Sequence, residues 1–292
     1  MRFSEELDLI LIDLAKMVAV KEHYVTVDGN KIRYLEEGND GTHVVLIHGL
    51  GSQAERWQQV IPHLSRNHRV IAPDLIGFGK SEKPQVDYTP KYFVKFVFDF
   101  LEELGISKTI MIGSSLGGQI VAESAAASEN DTIQKIILVS PTGTMRTTNP
   151  TLDAYIMAAL YPQHDLIKTA YQMMAGKQKD VDDSTIERFR NGMSQPNAKM
   201  SFLSSVISFK HWPAITDRLQ LISIPSLVIW GRDDTMIPIN HANDYVSNLK
   251  DCKFVVMEGC GHRPHVEDSE KFSQIMLKFL GNKMQIAQQI TA

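Results

Sequence analysis

The chain has 292 residues, of which 43% are hydrophobic and 22% are charged, and these values are typical of a globular protein with a buried core. The net charge of −4 at pH 7 and the lack of a cluster of basic residues argue against nucleic acid as a partner.

The N-terminal segment, residues 1–22, has the pattern of an amphipathic helix. Apolar residues recur at helical spacing, namely Leu7, Ile10, Leu11, Leu14 and Val18. Acidic residues interrupt the segment and no long uncharged stretch follows a basic start, so we expect neither a signal peptide nor a membrane span. We predict a helix that packs on the body of the protein, with contact to a second copy in a homodimer or to a membrane surface as alternatives.

Beyond this segment, strand patterns and helix patterns alternate. An Asp-Gly turn separates residues 23–27 from residues 31–35, which predicts an antiparallel hairpin. Further strands are predicted at residues 43–47, 69–72, 109–112, 135–139, 226–230 and 253–257, and helices at residues 53–65, 90–104, 116–128, 241–249 and 269–280. The alternation predicts an α/β fold: a mostly parallel eight-stranded sheet, antiparallel at the N-terminal hairpin, with helices on both faces.

The alternation stops between residues 141 and 213, where every pattern is helical. We predict an all-helical cap there, inserted into an α/β core of residues 23–140 and 214–292. The cap residues considered for the substrate pocket are Met145, Tyr155, Met174 and Trp212, which would suit an apolar group. Arg188 and Arg190 of the cap can bind a carboxylate, although a solvated helix face is the simpler interpretation.

Residues 113–117 read GSSLG and match the G-x-S-x-G pattern of a nucleophile elbow. An apolar strand pattern precedes the motif and a small-residue helix pattern follows it. A turn from strand to helix would hold Ser115 in a strained, exposed position above the sheet. A serine hydroxyl becomes a useful nucleophile only beside a base that is oriented by a third group.

Candidate bases and acids follow the last two predicted strands. His262 lies in a glycine-rich loop after the last strand, at the sheet edge where open α/β sheets bind ligands. His265 is a rival, but it leads into the following helix. The acid is expected after residues 226–230, where Asp233 and Asp234 stand side by side, and we prefer Asp234.

An oxyanion needs two backbone N–H donors aimed at one point. Leu116, which follows the serine, is one candidate donor, and Leu50, in the glycine-rich loop after residues 43–47, is the other. His48 in the same loop is expected to make structural hydrogen bonds rather than to act as a base.

Two cysteines flank the last predicted strand. Cys252 and Cys260 would be about 25 Å apart along an extended chain, beyond the reach of a disulfide. We therefore expect free thiols and a reducing, cytoplasmic location.

Five motifs stand in the order found in the α/β-hydrolase superfamily. They are HG at residues 48–49, DLIGFGKS at 74–81, the elbow at 113–117, GRDD at 231–234 and GH at 261–262. The resemblance covers about residues 23–282 apart from the insertion. It implies Ser115 as the nucleophile, Asp234 as the acid, His262 as the base and a cap domain in the insertion. It implies no cofactor, and no metal-ligand cluster or phosphate-binding loop is evident.

Serine at the elbow excludes the epoxide hydrolases and haloalkane dehalogenases of that superfamily, which use aspartate there. The nearest branch resembles the serine carboxylesterases and the meta-cleavage C–C bond hydrolases. The C–C hydrolases usually carry Asn before the nucleophile and Trp after the catalytic His, where this chain has Ser114 and Arg263. The sequence therefore favours hydrolysis of a small-molecule carboxylic ester, with a small to medium apolar acyl group, through an acyl-enzyme. Alternatives are C–C cleavage of a vinylogous diketone, a ligand receptor, a lactonase and an acyltransferase.

Overall fold

The structure is a computed structural model that describes residues 20–38, 41–128, 131–177 and 180–281. One sheet of eight strands crosses the molecule in the order β1-β2-β4-β3-β5-β6-β7-β8. The strands are β1 Lys21–Val27, β2 Asn30–Glu37, β3 Thr42–Ile47, β4 His68–Pro73, β5 Thr109–Ser114, β6 Ile133–Val139, β7 Ser226–Gly231 and β8 Cys252–Met257.

The sheet is parallel except at β2. This strand pairs antiparallel with both β1 and β4, whereas the other pairings are parallel. The reversal from β1 to β2 uses Asp28 and Gly29, which both have positive φ (47° and 76°), as a tight type I′ hairpin turn requires. The predicted mostly parallel eight-stranded sheet with an N-terminal hairpin is confirmed.

Helices cover both faces of the sheet. The α-helices are α1 Ile61–Leu64, α2 Pro90–Glu103, α3 Leu116–Ala127, α4 Pro150–Leu160, α5 His164–Met174, α6 Asp183–Met193, α7 Ala198–His211, α8 Thr216–Leu219, α9 Ala242–Asn248, α10 Pro264–Glu267 and α11 Ser269–Leu280. Of these, α4 to α7 lie in the insertion and not on the sheet. In β3, Val45 and Ile47 join the core beneath α2 and α3, whereas Val44 and Leu46 join the core beneath α1 and α11. Side chains alternate across a strand, so a continuous apolar run fills both cores.

Two predicted helices differ from the structure. The helix predicted over residues 53–65 is a short 3₁₀ helix, Ala54–Trp57, followed by α1. Pro62 lies in the first turn of α1, where its missing N–H is tolerated, but in a continuous helix its ring would clash with the preceding turn. The helix predicted over residues 1–22 ends too late, because β1 begins at Lys21, and residues 1–19 lie outside the described residues.

Helices α4 to α7 lie within the insertion predicted at residues 141–213. The insertion contacts the loops that follow the carboxyl ends of the core strands. The Tyr155 hydroxyl donates to the Leu50 carbonyl oxygen after β3, and the His262 N–H after β8 donates to the Met174 carbonyl oxygen at 2.8 Å. No helix within the described ranges is long and apolar enough to cross a membrane.

Candidate active site

Ser115 lies at the sharp turn between β5 and α3. Its backbone has φ 56° and ψ −120°, a region that side chains rarely adopt and that costs about 1–3 kcal/mol. The turn requires glycine on both sides: a Cβ on Gly113 would lie 2.2 Å from the Gly117 carbonyl oxygen, and one on Gly117 would lie 2.3 Å from the Ile47 carbonyl oxygen. The Ser115 N–H donates to the Val139 carbonyl oxygen at 2.9 Å, which ties the strained turn to β6.

A histidine and an aspartate from two different loops meet beside this turn. His262 Nδ1 donates to Asp234 Oδ2 at 2.9 Å. The second carboxylate oxygen, Oδ1, accepts the N–H groups of Met236 and Ile237, both at 2.9 Å. Asp234 is 5% exposed, whereas Asp233 is exposed and makes no contact with the imidazole. The bond at Nδ1 sets the imidazole tautomer and leaves Nε2 as the acceptor.

One cavity brings the predicted site residues together. Its lining includes Ser115, Leu50, Leu116 and His262, and from the insertion Met145, Tyr155 and Met174. Trp212 does not line this cavity, contrary to its selection from the sequence. Helix α7 ends at His211, and Trp212 is half-buried in the connection back to the core, where its carbonyl oxygen accepts the Arg146 guanidinium at 2.6 Å.

The two residues considered as oxyanion donors, Leu50 and Leu116, both line the cavity that holds the serine. Leu116 is the first residue of α3, and the first N–H groups of a helix have no partner within it and attract negative charge. Leu50 lies in the loop after β3. Its neighbour Gly49 packs so closely that a Cβ there would lie 3.2 Å from the Ser115 Cβ.

His48 and His265, the other two histidines considered as bases, have contacts that differ from those of His262. His48 Nδ1 donates to the Gly49 carbonyl oxygen at 2.8 Å, and its Nε2 accepts the Leu75 N–H at 2.9 Å. Complete burial lowers the pKa of His48 to about 4, so the ring is neutral at pH 7. His265 is buried with its ring 4.5 Å from the Trp57 ring, and no carboxylate contacts it among the described residues.

The cavity also contains three residues that the sequence did not identify as a group. The Arg56 guanidinium donates to the Tyr171 hydroxyl at 3.1 Å, and the Arg263 guanidinium lies 4.7 Å from the centre of the same ring. Burial, with Arg56 close by, lowers the pKa of Arg263 to about 10. The position of Arg263 next to His262 was a usable signal, whereas nothing in the local pattern distinguished Arg56 or Tyr171.

Arg188 and Arg190, the two cap arginines considered for carboxylate binding, do not line the cavity that holds Ser115. Arg190 forms an ion pair with Glu187 on the exposed surface of α6. Arg188 lies 3.8 Å from Asp182 and does not line the cavity that holds Ser115. The interpretation of a solvated helix face therefore fits Arg190, whereas Arg188 is half-buried and lines a second cavity together with Arg56 and Tyr171.

Comparisons with known proteins agree with this geometry. Residues 42–269 match the family model described as the alpha/beta hydrolase fold. The 2-hydroxy-6-oxo-6-(2'-aminophenyl)hexa-2,4-dienoic acid hydrolase of Metapseudomonas resinovorans is 26% identical over 275 residues, which cover 92% of this chain and 93% of that protein. The 2-hydroxy-6-oxo-6-phenylhexa-2,4-dienoate hydrolase of Burkholderia cepacia is 28% identical over 262 residues, covering 85% and 91%.

A solved structure has the same fold. A serine hydrolase involved in carbazole degradation superposes with a TM-score of 0.80 at 24% sequence identity, covering 90% of this chain and 100% of the other. The family model spans more than half of the chain, and the sheet order and the strained elbow are those expected of that fold. The chain belongs to the α/β-hydrolase fold family and to its hydrolases.

Proposed function

We propose that Ser115, His262 and Asp234 form the catalytic triad of a hydrolase that attacks a carbonyl carbon. The observation that carries this proposal is the Asp234–His262 hydrogen bond in the same cavity as the strained serine. His262 Nε2 takes the proton of the Ser115 hydroxyl while the oxygen adds to the carbonyl carbon. The N–H groups of Leu50 and Leu116 stabilise the oxyanion that forms.

The proposed scissile bond is a carbon–carbon bond. The substrates named for both relatives are 2-hydroxy-6-oxo dienoates, which contain neither an ester nor an amide. Their hydrolysis must therefore break the C–C bond beside the 6-oxo group. Because the two alignments cover 92% and 85% of this chain, this chemistry is better supported than cleavage of a simple ester.

The electron balance of C–C cleavage explains why such a substrate is needed. After the dienol takes its keto form, Ser115 Oγ adds to the 6-oxo carbon. When the C–C bond breaks, its electron pair passes through the enone to the 2-oxo oxygen, which takes a proton. Water, deprotonated by His262, then releases the acid from the serine. One water molecule is consumed: its hydroxyl remains on the acid and a proton remains on the dienol.

Ester hydrolysis is the second candidate, because two residues of this chain favour it. Ser114 and Arg263 stand where the C–C hydrolases usually carry Asn and Trp. An alkoxide leaves without a conjugated system to receive its electrons, so an ester needs only the triad and the two N–H donors.

A direct comparison of two substrates tests both candidates. The wild-type protein and the Ser115→Ala variant would be assayed with 2-hydroxy-6-oxo-6-phenylhexa-2,4-dienoate and with p-nitrophenyl butyrate. We expect many turnovers of the dienoate, a higher kcat/KM than for the ester, and a loss on the order of 10⁶-fold in the variant. A higher kcat/KM for the ester would favour the second candidate. Retained turnover in the variant would contradict the triad.

A further inference from the structure

One wall of the cavity carries two arginines that share an aromatic ring. Arg56, in the 3₁₀ helix after β3, donates from Nη2 to the Tyr171 hydroxyl at 3.1 Å, and its guanidinium carbon lies 5.5 Å from the ring centre. Arg263, directly after His262, lies 4.7 Å from the centre of the same ring. All three residues line the cavity that contains Ser115. Two positive charges are therefore held within one small part of the cavity wall.

No carboxylate of the described residues pairs with these two guanidinium groups. Glu267 is four residues from Arg263, but its oxygens accept backbone N–H groups: Arg263 at 3.0 Å and Gly176 and Gly261 at 2.8 Å. Glu55, next to Arg56 in the chain, is bound instead to the Arg33 guanidinium. Arg263 Nε is buried and has no hydrogen-bond partner. The charge on this wall is thus uncompensated within the part of the chain that the structure describes.

A second polar side chain on the same cavity has buried nitrogen atoms without a hydrogen-bond partner. His265 is only 1% exposed, and neither of its ring nitrogens has a hydrogen-bond partner among the described residues. Burial, with Arg56 and Arg263 nearby, holds the pKa of His265 well below its usual value. The ring is therefore neutral and carries one N–H that has no acceptor.

Buried polar groups without partners are uncommon, because each loses its hydration without gaining a hydrogen bond. An anion with two oxygens in this cavity could accept from the Arg263 Nε–H and the His265 N–H, and it would compensate the charges of both guanidinium groups. A carboxylate matches the planar fork of a guanidinium and binds it through two parallel hydrogen bonds. The cost of holding these groups unpaired in the free protein is then recovered when such a ligand binds.

We infer that Arg56, Arg263 and His265 form a subsite for a carboxylate group of the substrate. This inference rests on the proposed function, because the subsite and the proposed triad share one cavity. It assigns a role to Arg263, one of the two residues at which the chain departs from the C–C hydrolase pattern. The dienoates of the proposed function carry such a carboxylate, and neutral compounds of the same shape bind weakly.

Binding to the Ser115→Ala protein tests this inference without turnover. Isothermal titration would compare hexa-2,4-dienoate (sorbate) with hexa-2,4-dienamide, which has the same shape and no charge. We expect sorbate to bind at least about tenfold more tightly than the amide, since hydrogen bonds to a charged group are the stronger ones. Arg56→Gln and Arg263→Gln should each weaken sorbate binding by about ten- to a hundredfold.

Arg190→Gln is the matched control, because this arginine is paired with Glu187 on the surface outside the cavity. It should leave sorbate binding unchanged. Arg263→Lys keeps the positive charge but loses the planar guanidinium that can donate two parallel hydrogen bonds, so it should bind sorbate with intermediate affinity. Melting temperatures would establish that each variant is folded. Equal binding of sorbate and the amide would overturn the subsite, as would an Arg190→Gln effect as large as that of Arg263→Gln. Neither result bears on the triad, which depends on the turnover assay of Ser115→Ala.

Discussion

The Tyr155 hydroxyl donates a 2.8 Å hydrogen bond to the carbonyl oxygen of Leu50. This bond joins α4 of the insertion to the loop after β3, whose N–H at Leu50 is a proposed oxyanion donor. Tyr155 is buried, and burial raises its pKa well above the usual value, so the hydroxyl stays protonated and remains a donor. The insertion therefore restrains the peptide group that follows Leu50, which is adjacent to the peptide group that carries the proposed donor.

Removing that hydroxyl should slow the reaction without abolishing it. In Tyr155→Phe the Leu50 carbonyl oxygen loses its hydrogen bond, and the adjacent N–H is less firmly positioned. We expect kcat to fall by about tenfold, less than the loss caused by removing an oxyanion donor outright. Steady-state kinetics would measure this fall. Tyr161→Phe is the control, because that side chain is 57% exposed and has no role in the cavity. An equal effect of the two substitutions would contradict the prediction.

Replacement of Asp234 or of its neighbour Asp233 by Asn should have very different effects on kcat. Asp234→Asn removes the charge that orients His262 and stabilises its protonated form, so kcat should fall by roughly 10⁴-fold. Asp233 is exposed, and Asp233→Asn should change kcat less than twofold, about 0.4 kcal/mol. Kinetics of the two variants under identical conditions provide the measurement. The reverse order would place the acid at Asp233.

The elbow should not tolerate a methyl group at Gly117. A Cβ there would lie 2.3 Å from the Ile47 carbonyl oxygen, so Gly117→Ala should lower the free energy of unfolding by about 1–3 kcal/mol or more. Gly192 lies within α6 with nothing within 4 Å of its Cβ position. Gly192→Ala should raise the free energy of unfolding by up to about 1 kcal/mol, because alanine favours the helix. Chemical denaturation would measure the change in the free energy of unfolding for both variants, and the two changes should have opposite signs.

Acid should destabilise the protein through His48. Complete burial lowers its pKa from 6.5 to about 4 in the folded chain, so between these pH values the unfolded chain binds a proton that the folded chain does not. The free energy of unfolding should therefore decrease as pH falls from 6.5 to 4, by about 3 kcal/mol in total from this residue.

Denaturation curves measured at several pH values would test this effect. In His48→Gln the amide can still donate to the Gly49 carbonyl oxygen and accept from the Leu75 N–H, but it does not titrate. The decrease between pH 6.5 and 4 should therefore be smaller in the variant. An identical pH dependence would show that other groups cause the acid effect.

Much of the fold was predictable because its signals are local. Apolar runs such as residues 43–47 specify strands, and Asp28-Gly29 specifies a tight turn, since each acts through a few neighbouring residues. The helix predicted over residues 53–65 was wrong because Pro62 is compatible with the first turn of a helix but not with the interior of one. Trp212 was wrongly selected for the pocket because composition identifies apolar side chains without saying what they face.

Local patterns in the chain are sufficient to indicate the α/β class, the strained turn at Ser115 and a short set of polar residues after strands that includes His262 and Asp234. That Asp234, not Asp233, contacts the imidazole follows from the three-dimensional packing, because it depends on which side chain the loop buries. The same packing alone brings Arg56 to Tyr171, 115 residues away in the chain. Contacts of this kind arise from the packing of whole elements against each other, and local propensity carries no information about them.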